Sequence, residues 1–290
     1  TADILHTAEG KLEISGTGYT PEGAFFKNGE MVPPGLLGPV VGPILRASVL
    51  CSDATLQKQD QEWTVLGDTT EGAILVMAEK GGYPHVALRQ ANPRTDEKPF
   101  DSNRKMMSTL HETEGGQFVA YTKGAPESVL DVCTSEMTGQ GETPLSRKRK
   151  AGLLSLTEEM ASKGYRTLAF SVSPKGQMER DMIFLGIVGI KDQVRPEAAK
   201  AVQCARGAGI RTLMITGDHR LTALAVGREV GLVRSEGEAV DCRHLDGLDE
   251  EDFARAVAKT SVFARAAPEH KVRIVSALKD TGEIVAMTGD

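Results

Sequence analysis

Two apolar runs in the last third of the chain, Leu213-Met214-Ile215 and Val285-Ala286-Met287, are each followed by the same tripeptide, Thr216-Gly217-Asp218 and Thr288-Gly289-Asp290. A run of this kind reads as a strand that carries a hydroxyl, a glycine and a carboxylate at its carboxyl end. Around the two runs the pattern alternates. Strands are expected at 183–190, 210–215, 261–264 and 284–287. Helices are expected at 196–206, 221–230, 250–259 (behind Asp249 as N-cap) and 268–279, with prolines in first turns and glycines past several ends. Strands alternating with helices imply βαβ units on a parallel sheet, where functional groups gather at the carboxyl ends of strands.

The part before Ile183 follows a different pattern. A strand is expected at 11–15 and helices at 43–56 and 70–80, the second behind Asp68. A hairpin is expected from strands 104–111 and 117–123 around Gly115-Gly116, then short helices at 126–132 and 156–163 and a strand at 166–172. This is an α+β pattern with antiparallel pairing. The pattern changes near Ser173–Asp181, a stretch with Pro174, Gly176 and several charges, which predicts a surface connection. The expectation is therefore an antiparallel-sheet domain over 1–180 and a parallel-sheet domain over 181–290.

Composition narrows the function. The 290 residues carry a formal net charge of −6, which argues against a nucleic-acid partner. The four cysteines, Cys51, Cys133, Cys204 and Cys242, form no Cys-x-x-Cys pair and predict no zinc site or disulfide framework. The most apolar long stretch, Val32–Leu50, is interrupted by Pro33, Pro34, Pro39 and Pro43 and predicts no membrane span. No signal peptide opens the chain, and it begins without methionine and stops after an apolar run. It is therefore read as a piece of a longer protein.

Several residue sets carry chemistry. One Thr-Gly-Asp copy suits a turn or helix cap as well as a site. Two copies at equivalent strand ends suit Mg²⁺ and a phosphoryl group. Arg265 follows a strand. Lys271 lies one turn into the next helix, where the dipole disfavours a cation unless an anion is bound; the bland alternative is a solvated lysine. Lys123-Gly124-Ala125-Pro126-Glu127 follows a strand and opens a helix. Phe100, in Lys98-Pro99-Phe100-Asp101-Ser102-Asn103-Arg104-Lys105, is either a core anchor or a stacking platform for a flat ring. The basic run Arg147–Lys150 reads as a solvated face.

In this order the motifs resemble those of P-type ATPases, the cation pumps with a large cytosolic nucleotide-binding domain. Phe100–Ser108 is similar to the adenine-stacking segment. Lys123–Glu127 is similar to the ATP-site lysine motif. Glu71, in Gly67–Glu71, matches an acidic residue near adenine, and Arg166, in Gly164–Ala169, an arginine at the phosphates. Met214–Asp218, Phe263–Lys271 and Val285–Asp290 resemble segments of the family's phosphorylation domain. Asp192-Gln193-Val194-Arg195 keeps the charged ends of the family's Asp-Pro-Pro-Arg without its prolines.

The resemblance implies a nucleotide-binding domain followed by part of a haloacid-dehalogenase-like, Rossmann-type domain, and an α/β plus α+β fold class. It implies ATP and Mg²⁺ as cofactors. Glu71, Phe100, Lys123, Gly124, Arg166, Asp192, Arg195 and Arg265 would bind ATP or ADP, Lys271, Thr216, Gly217 and Asp218 would act at the phosphoryl group, and Asp290 would hold Mg²⁺. It also implies the rest of the pump, actuator domain and membrane helices, as partner, and a place on the cytoplasmic face of a membrane. The motifs look closest to bacterial calcium-type pumps. The phosphorylated aspartate's Asp-Lys-Thr-Gly-Thr motif is not in this sequence, so the fragment alone is expected to be inactive. The rival readings are a soluble haloacid-dehalogenase-type Mg²⁺-dependent phosphatase, which would need its own nucleophilic aspartate, and a non-catalytic nucleotide-binding module.

Overall fold

The computed structural model describes residues 1–59, 62–113, 115–191, 194, 196–218 and 220–289. The chain divides into two compact units, one of Thr1–Met160 with Tyr165–Gln193, the other of Ala161–Gly164 with Val194–Asp290.

The first unit runs β1 (Ala2–Thr7), β2 (Gly10–Ile14), β3 (Phe25–Lys27), β4 (Glu30–Val32), α1 (Gly38–Leu50), β5 (Thr55–Gln59), β6 (Glu62–Leu66), α2 (Thr69–Lys80), α3 (His85–Ala91), β7 (Arg94–Asp101), β8 (Met106–Glu112), β9 (Phe118–Gly124), α4 (Pro126–Asp131), β10 (Cys133–Thr138), β11 (Gly141–Pro144), α5 (Arg147–Ser162), β12 (Arg166–Ser173) and β13 (Met182–Ile190). Among the described residues an 11-stranded sheet has the order β4-β3-β2-β1-β13-β12-β9-β8-β7, with β10 joining at β13 and β11 at β10. Every pairing in it is antiparallel except β10 with β13. β5 and β6 form a separate two-stranded antiparallel sheet.

Two cores cover the two faces of this sheet, and β13 belongs to both. Its nine residues are all buried. Ile183, Leu185, Val188 and Ile190 join the core of α1 and α2, with Leu5, Phe25, Ile44, Ile74 and Phe170. Met182, Phe184 and Ile187 join the core of α4 and α5, with Val129, Leu130, Leu153 and Met160. The alternation slips by one between Leu185 and Ile187. There the ladder to β12 is irregular: Phe170 faces Gly186 and Ser171 faces Phe184, a bulge that swaps the faces. Gly186 allows the close approach of β1, since a Cβ there would stand 2.5 Å from the His6 carbonyl oxygen.

The second unit contains α6 (Pro196–Gly207), β14 (Met214–Ile215), α7 (Arg220–Glu229), β15 (Ala239–Asp241), α8 (Glu250–Lys259), β16 (Val262–Ala264) and α9 (Pro268–Asp280). Its sheet is parallel, in the order β14-β16-β15. Val262 and Ala264 of β16 pack with Ala223 and Leu224 of α7, whereas Phe263 packs with Phe253 of α8 and Ile274 of α9. Helices thus cover both faces, the arrangement that parallel strands require. Asp249 caps α8 by accepting from the Asp252 N–H at 2.8 Å.

The structure corrects several expectations. The strand at 183–190 is not the first strand of a parallel sheet; it is the central strand of the antiparallel one. A uniformly apolar run signals burial on both faces and does not distinguish the two sheet types. The boundary expected at 180/181 therefore falls after β13 instead, and 174–181 joins two strands of one sheet. Residues 284–287 form no strand, and Ile284 is fully exposed. An apolar run becomes a strand only beside a partner edge, and among the described residues none pairs with it. The helix expected from Pro43 begins at Gly38, with Pro43 inside it. Residues 55–56, expected to continue that helix, open β5, and residues 147–150 are the first turn of α5.

Candidate functional site

At one end of the large sheet, four strands meet in a single row. Asp101 of β7 faces Met106 of β8, Met106 faces Gly124 of β9, and Gly124 faces Ala169 of β12. This row places Phe100, Lys105, Lys123 and Gly124 at neighbouring ladder positions. Arg166, exposed, starts β12 three residues before Ala169. Three residue sets, 100–105, 123–124 and 166, thus reach one sheet end.

Lys123 is the buried member. Its Nζ lies 2.5 Å from Glu71 Oε1 and donates to Ser52 Oγ at 3.1 Å, with side-chain exposures of 8% for Lys123 and 13% for Glu71. The other oxygen of Glu71 accepts the backbone N–H groups of Asp53 and Ala54, both at 2.8 Å. Glu71 stands in the first turn of α2, where the helix dipole favours a carboxylate. Asp68 fixes that turn by accepting from Thr70 N and Glu71 N. Both oxygens of Glu71 therefore hold protein groups: it anchors Lys123 and the 53–54 backbone. An ammonium has three donors, and two of those of Lys123 are taken by Glu71 and Ser52.

The segment 49–54 under Lys123 is held from below by two arginines. Arg89 donates to the carbonyls of Val49, Ser52 and Ala54, and Arg94 to those of Leu50 and Ser52. Arg94 also pairs with Asp53 at 2.7 Å and Glu97 at 2.6 Å. Cys51 lies within this segment, and burial pushes its thiol up. Single arginines in mid-sequence give no signal of this clamp, so sequence reading missed both, along with Ser52.

Phe100 is 66% exposed, which excludes the core-anchor reading. The turn after it is closed by Asp101, whose Oδ1 accepts Asn103 N and Arg104 N at 2.9 Å each. The Arg104 N–H holds that carboxyl below its usual range. Lys105 has φ +53° and pairs with Glu127 at 3.0 Å, with its side chain 56% exposed. It is a second cation at this end, within the Phe100 motif. Gly124 is needed for the fold itself: a Cβ there would meet the Lys105 carbonyl oxygen at 2.4 Å.

In the second unit, Thr216, Gly217 and Asp218 follow β14, and Arg265 follows β16. Thr216 N donates to Phe263 O, Ala266 N to Thr216 O and Arg265 N to Asp218 O, all at 2.9 Å, so the two strand ends are stapled together. Thr216 Oγ1 donates to Asp218 Oδ2 and accepts from Asp218 N, at 3.1 Å each. This is the closed turn that one Thr-Gly-Asp copy makes by itself. Arg265 has φ +52°, and Lys271 lies in the first turn of α9, half-buried. All five residues gather at the carboxyl end of the parallel strands. The second copy behaves differently, because Thr288 and Gly289 are exposed and follow no strand. Asp192, Arg195 and Asp290 lie outside the described residues. Among the described residues no group of three His, Cys, Asp or Glu side chains could hold a metal ion. Mg²⁺ is held by one or two carboxylates together with waters and substrate phosphates, and Asp290, the carboxylate expected to hold it, is not among the described residues.

The family model for the P-type ATPase cytoplasmic domain N matches residues 41–197, more than half of the chain. The chain belongs to the P-type ATPases. Bacterial relatives agree. The cation-transporting ATPase pma1 of Synechocystis sp. is 38% identical over all of this chain and 33% of its own length. The calcium-transporting ATPase of Bacillus subtilis is 37% identical over 96% of the chain and 32% of its own length. The calcium-transporting ATPase 1 of Lactococcus lactis is 35% identical over 85% of the chain and 29% of its own length. The chain spans about a third of the length of the curated relatives it matches. This P-type ATPase segment comprises the large antiparallel-sheet unit and a small parallel-sheet unit. Among its described residues no helix is long and apolar enough to cross a membrane.

Proposed function

We propose that the first unit binds ATP at the sheet end that carries Phe100, Lys105, Lys123 and Arg166. In the parent protein this ATP would supply the phosphoryl group for cation transport. The observation that carries this reading is the pairing of a buried, oriented lysine with an exposed aromatic at one sheet end. An ammonium held by Glu71 and Ser52 keeps a donor for an anion while its own burial is compensated. A phenyl ring 66% exposed offers a face for stacking a flat base. Lys105 and Arg166, both exposed, supply the positive charge that a triphosphate requires.

Each residue has a distinct part. Phe100 stacks the base. Lys123 forms the floor of the site. Glu71 fixes Lys123. Gly124 lets β9 approach the Lys105 backbone, so the lip and the floor keep one spacing. In the second unit, assigned here to the haloacid-dehalogenase-like class, Thr216, Gly217, Asp218, Arg265 and Lys271 meet the transferred phosphoryl group. Splitting ATP hydrolysis through an aspartyl phosphate gives the parent pump states to couple to ion movement. The nucleotide unit lies on the cytoplasmic side of the membrane, with actuator domain and membrane helices as partners in the same protein; the match to the family's cytoplasmic domain supports this reading. Calcium is the ion proposed.

Calorimetric titration of the 290-residue chain with ATP tests the reading. One binding site is expected, and Lys105→Ala and Arg166→Ala should each weaken ATP more than adenosine. Equal weakening of both ligands would overturn the phosphate assignment.

A further inference from the structure

Pro99 and Phe100 lie where the edge strand has no ladder partner. On β7, Lys98 faces Ser108 and Asp101 faces Met106, and the two residues between fall in the irregular stretch. Phe100 is also too exposed for packing to orient it. The backbone beside it is held by a side chain instead: Arg104 Nη2 donates to the Pro99 carbonyl at 2.7 Å. Arg104 in turn pairs through Nη1 with Glu179. Glu179 comes from the connection between β12 and β13, far away in sequence, and its side chain is only 9% exposed. The same carboxylate accepts from Ser108 Oγ at 3.0 Å and lies 3.5 Å from Lys98 Nζ. Ser108 is bonded to Thr122, next to Lys123, at 2.8 Å. Glu179 therefore touches both sides of the unpaired stretch and the strand behind it.

The backbone of Glu179 supports a specific role. Its φ is +60°, in the left-handed region that a non-glycine residue adopts at a cost. A glycine would serve the turn better, so the side chain is what the position requires.

We infer that Glu179 is a positioning residue for the base platform: it holds Arg104, and through Arg104 the Pro99 carbonyl, so that Phe100 is set before nucleotide arrives. The inference rests on the nucleotide reading above. Freeing one ordered segment at a binding site weakens affinity by about 2- to 12-fold. The loss falls on the base, not on the phosphates.

The test is a double-mutant cycle on the 290-residue chain, with dissociation constants for ATP and AMP measured by calorimetry. Glu179→Gly removes both the carboxylate and the backbone strain; the strain relief offsets only part of the lost pairing, so a thermal melt first checks that the variant is folded. Glu179→Gln, nearly the same shape, removes only the charge. Both should weaken ATP and AMP by the same factor, about 2- to 12-fold, and neither should weaken binding further on a Phe100→Ala background. A merely structural glutamate would leave that coupling at zero. If Phe100→Ala weakens binding while the Glu179 variants have no effect, or add to it independently, this inference is overturned and the nucleotide site stands. If Phe100→Ala itself leaves affinity unchanged, the nucleotide reading fails and this inference fails with it.

Discussion

Lys123 Nζ and Glu71 Oε1 are 2.5 Å apart, Lys123 is buried and Glu71 only 13% exposed, and the second Glu71 oxygen holds two backbone N–H groups. Removing one partner of such a pair leaves an uncompensated charge and costs about 3–5 kcal/mol. Glu71→Ala is expected to lose that much in urea unfolding. It should lose distinctly less when combined with Lys123→Met, because the stranded ammonium is then gone. Equal and additive losses would show that the two residues do not act as a pair.

Gly124→Ala tests the close approach of β9 and β8. The added methyl meets the Lys105 carbonyl oxygen and the Met106 side chain at 2.4 and 2.5 Å. The neighbours here are a backbone and a buried strand residue, so relief requires the strands to separate. Overpacking of this kind costs about 1–3 kcal/mol. Stability measured by denaturant should fall by that amount, and ATP affinity with it.

The second unit has an acid-sensitive contact. Arg243 donates to Asp241 through Nε at 2.9 Å and Nη2 at 2.6 Å, and this pairing brings the buried carboxyl down to about 2. The unfolded value is about 3.9. A depressed folded value means the stabilisation is full above about pH 4 and is lost as pH falls through about 2. Asp241→Asn should cost about 1.5 kcal/mol at pH 7, the low end for bonds to charged groups because Arg243 is 65% exposed. The gap to the parent chain should close as pH falls from 4 to 2. A gap that does not change with pH would remove the ion pair as its cause.

The position of β13 predicts where the chain can be divided. A piece ending at Arg180 lacks Met182, Ile183, Phe184, Leu185, Ile187, Val188 and Ile190, all buried in the first unit's two cores. At about 1.5–3 kcal/mol per fully buried side chain, that loss matches or exceeds the 5–15 kcal/mol of a whole domain. Thr1–Arg180 should be unfolded by circular dichroism, whereas a piece ending at Lys191 should fold and bind ATP. A folded, ATP-binding Thr1–Arg180 would contradict the sheet order.

Much of this architecture was legible in the residues. The hairpin of β8 and β9, the capped helices α2 and α8 and the βα alternation after Pro196 follow from local periodicity and capping, which act over a few residues. What the sequence concealed depends on distant partners. Ile183–Ile190 reads as a buried strand, yet nothing local reveals that β1 and β12 flank it. Ile284–Met287 reads as a strand just as well and has no partner.

The site divides the same way. Phe100, Lys123, Gly124 and Glu71 are visible through their motifs, and the ladder row brings the first three together. Glu71 was expected at the base; its oxygens are committed to Lys123 and to the 53–54 backbone. Ser52, Arg89, Arg94 and Glu179 act through contacts made across tens of residues. Glutamate and arginine are ordinary surface residues in any sequence, so the pattern carried no sign of them.

The central claim is that Phe100 is the platform for the base, and calorimetric titration of the chain with ATP, before and after Phe100→Ala, tests it most directly. Losing a base–aromatic stack costs about 1–3 kcal/mol, so the dissociation constant should rise about 5- to 150-fold, while Phe100→Trp should retain binding. An unchanged constant in Phe100→Ala would contradict the account.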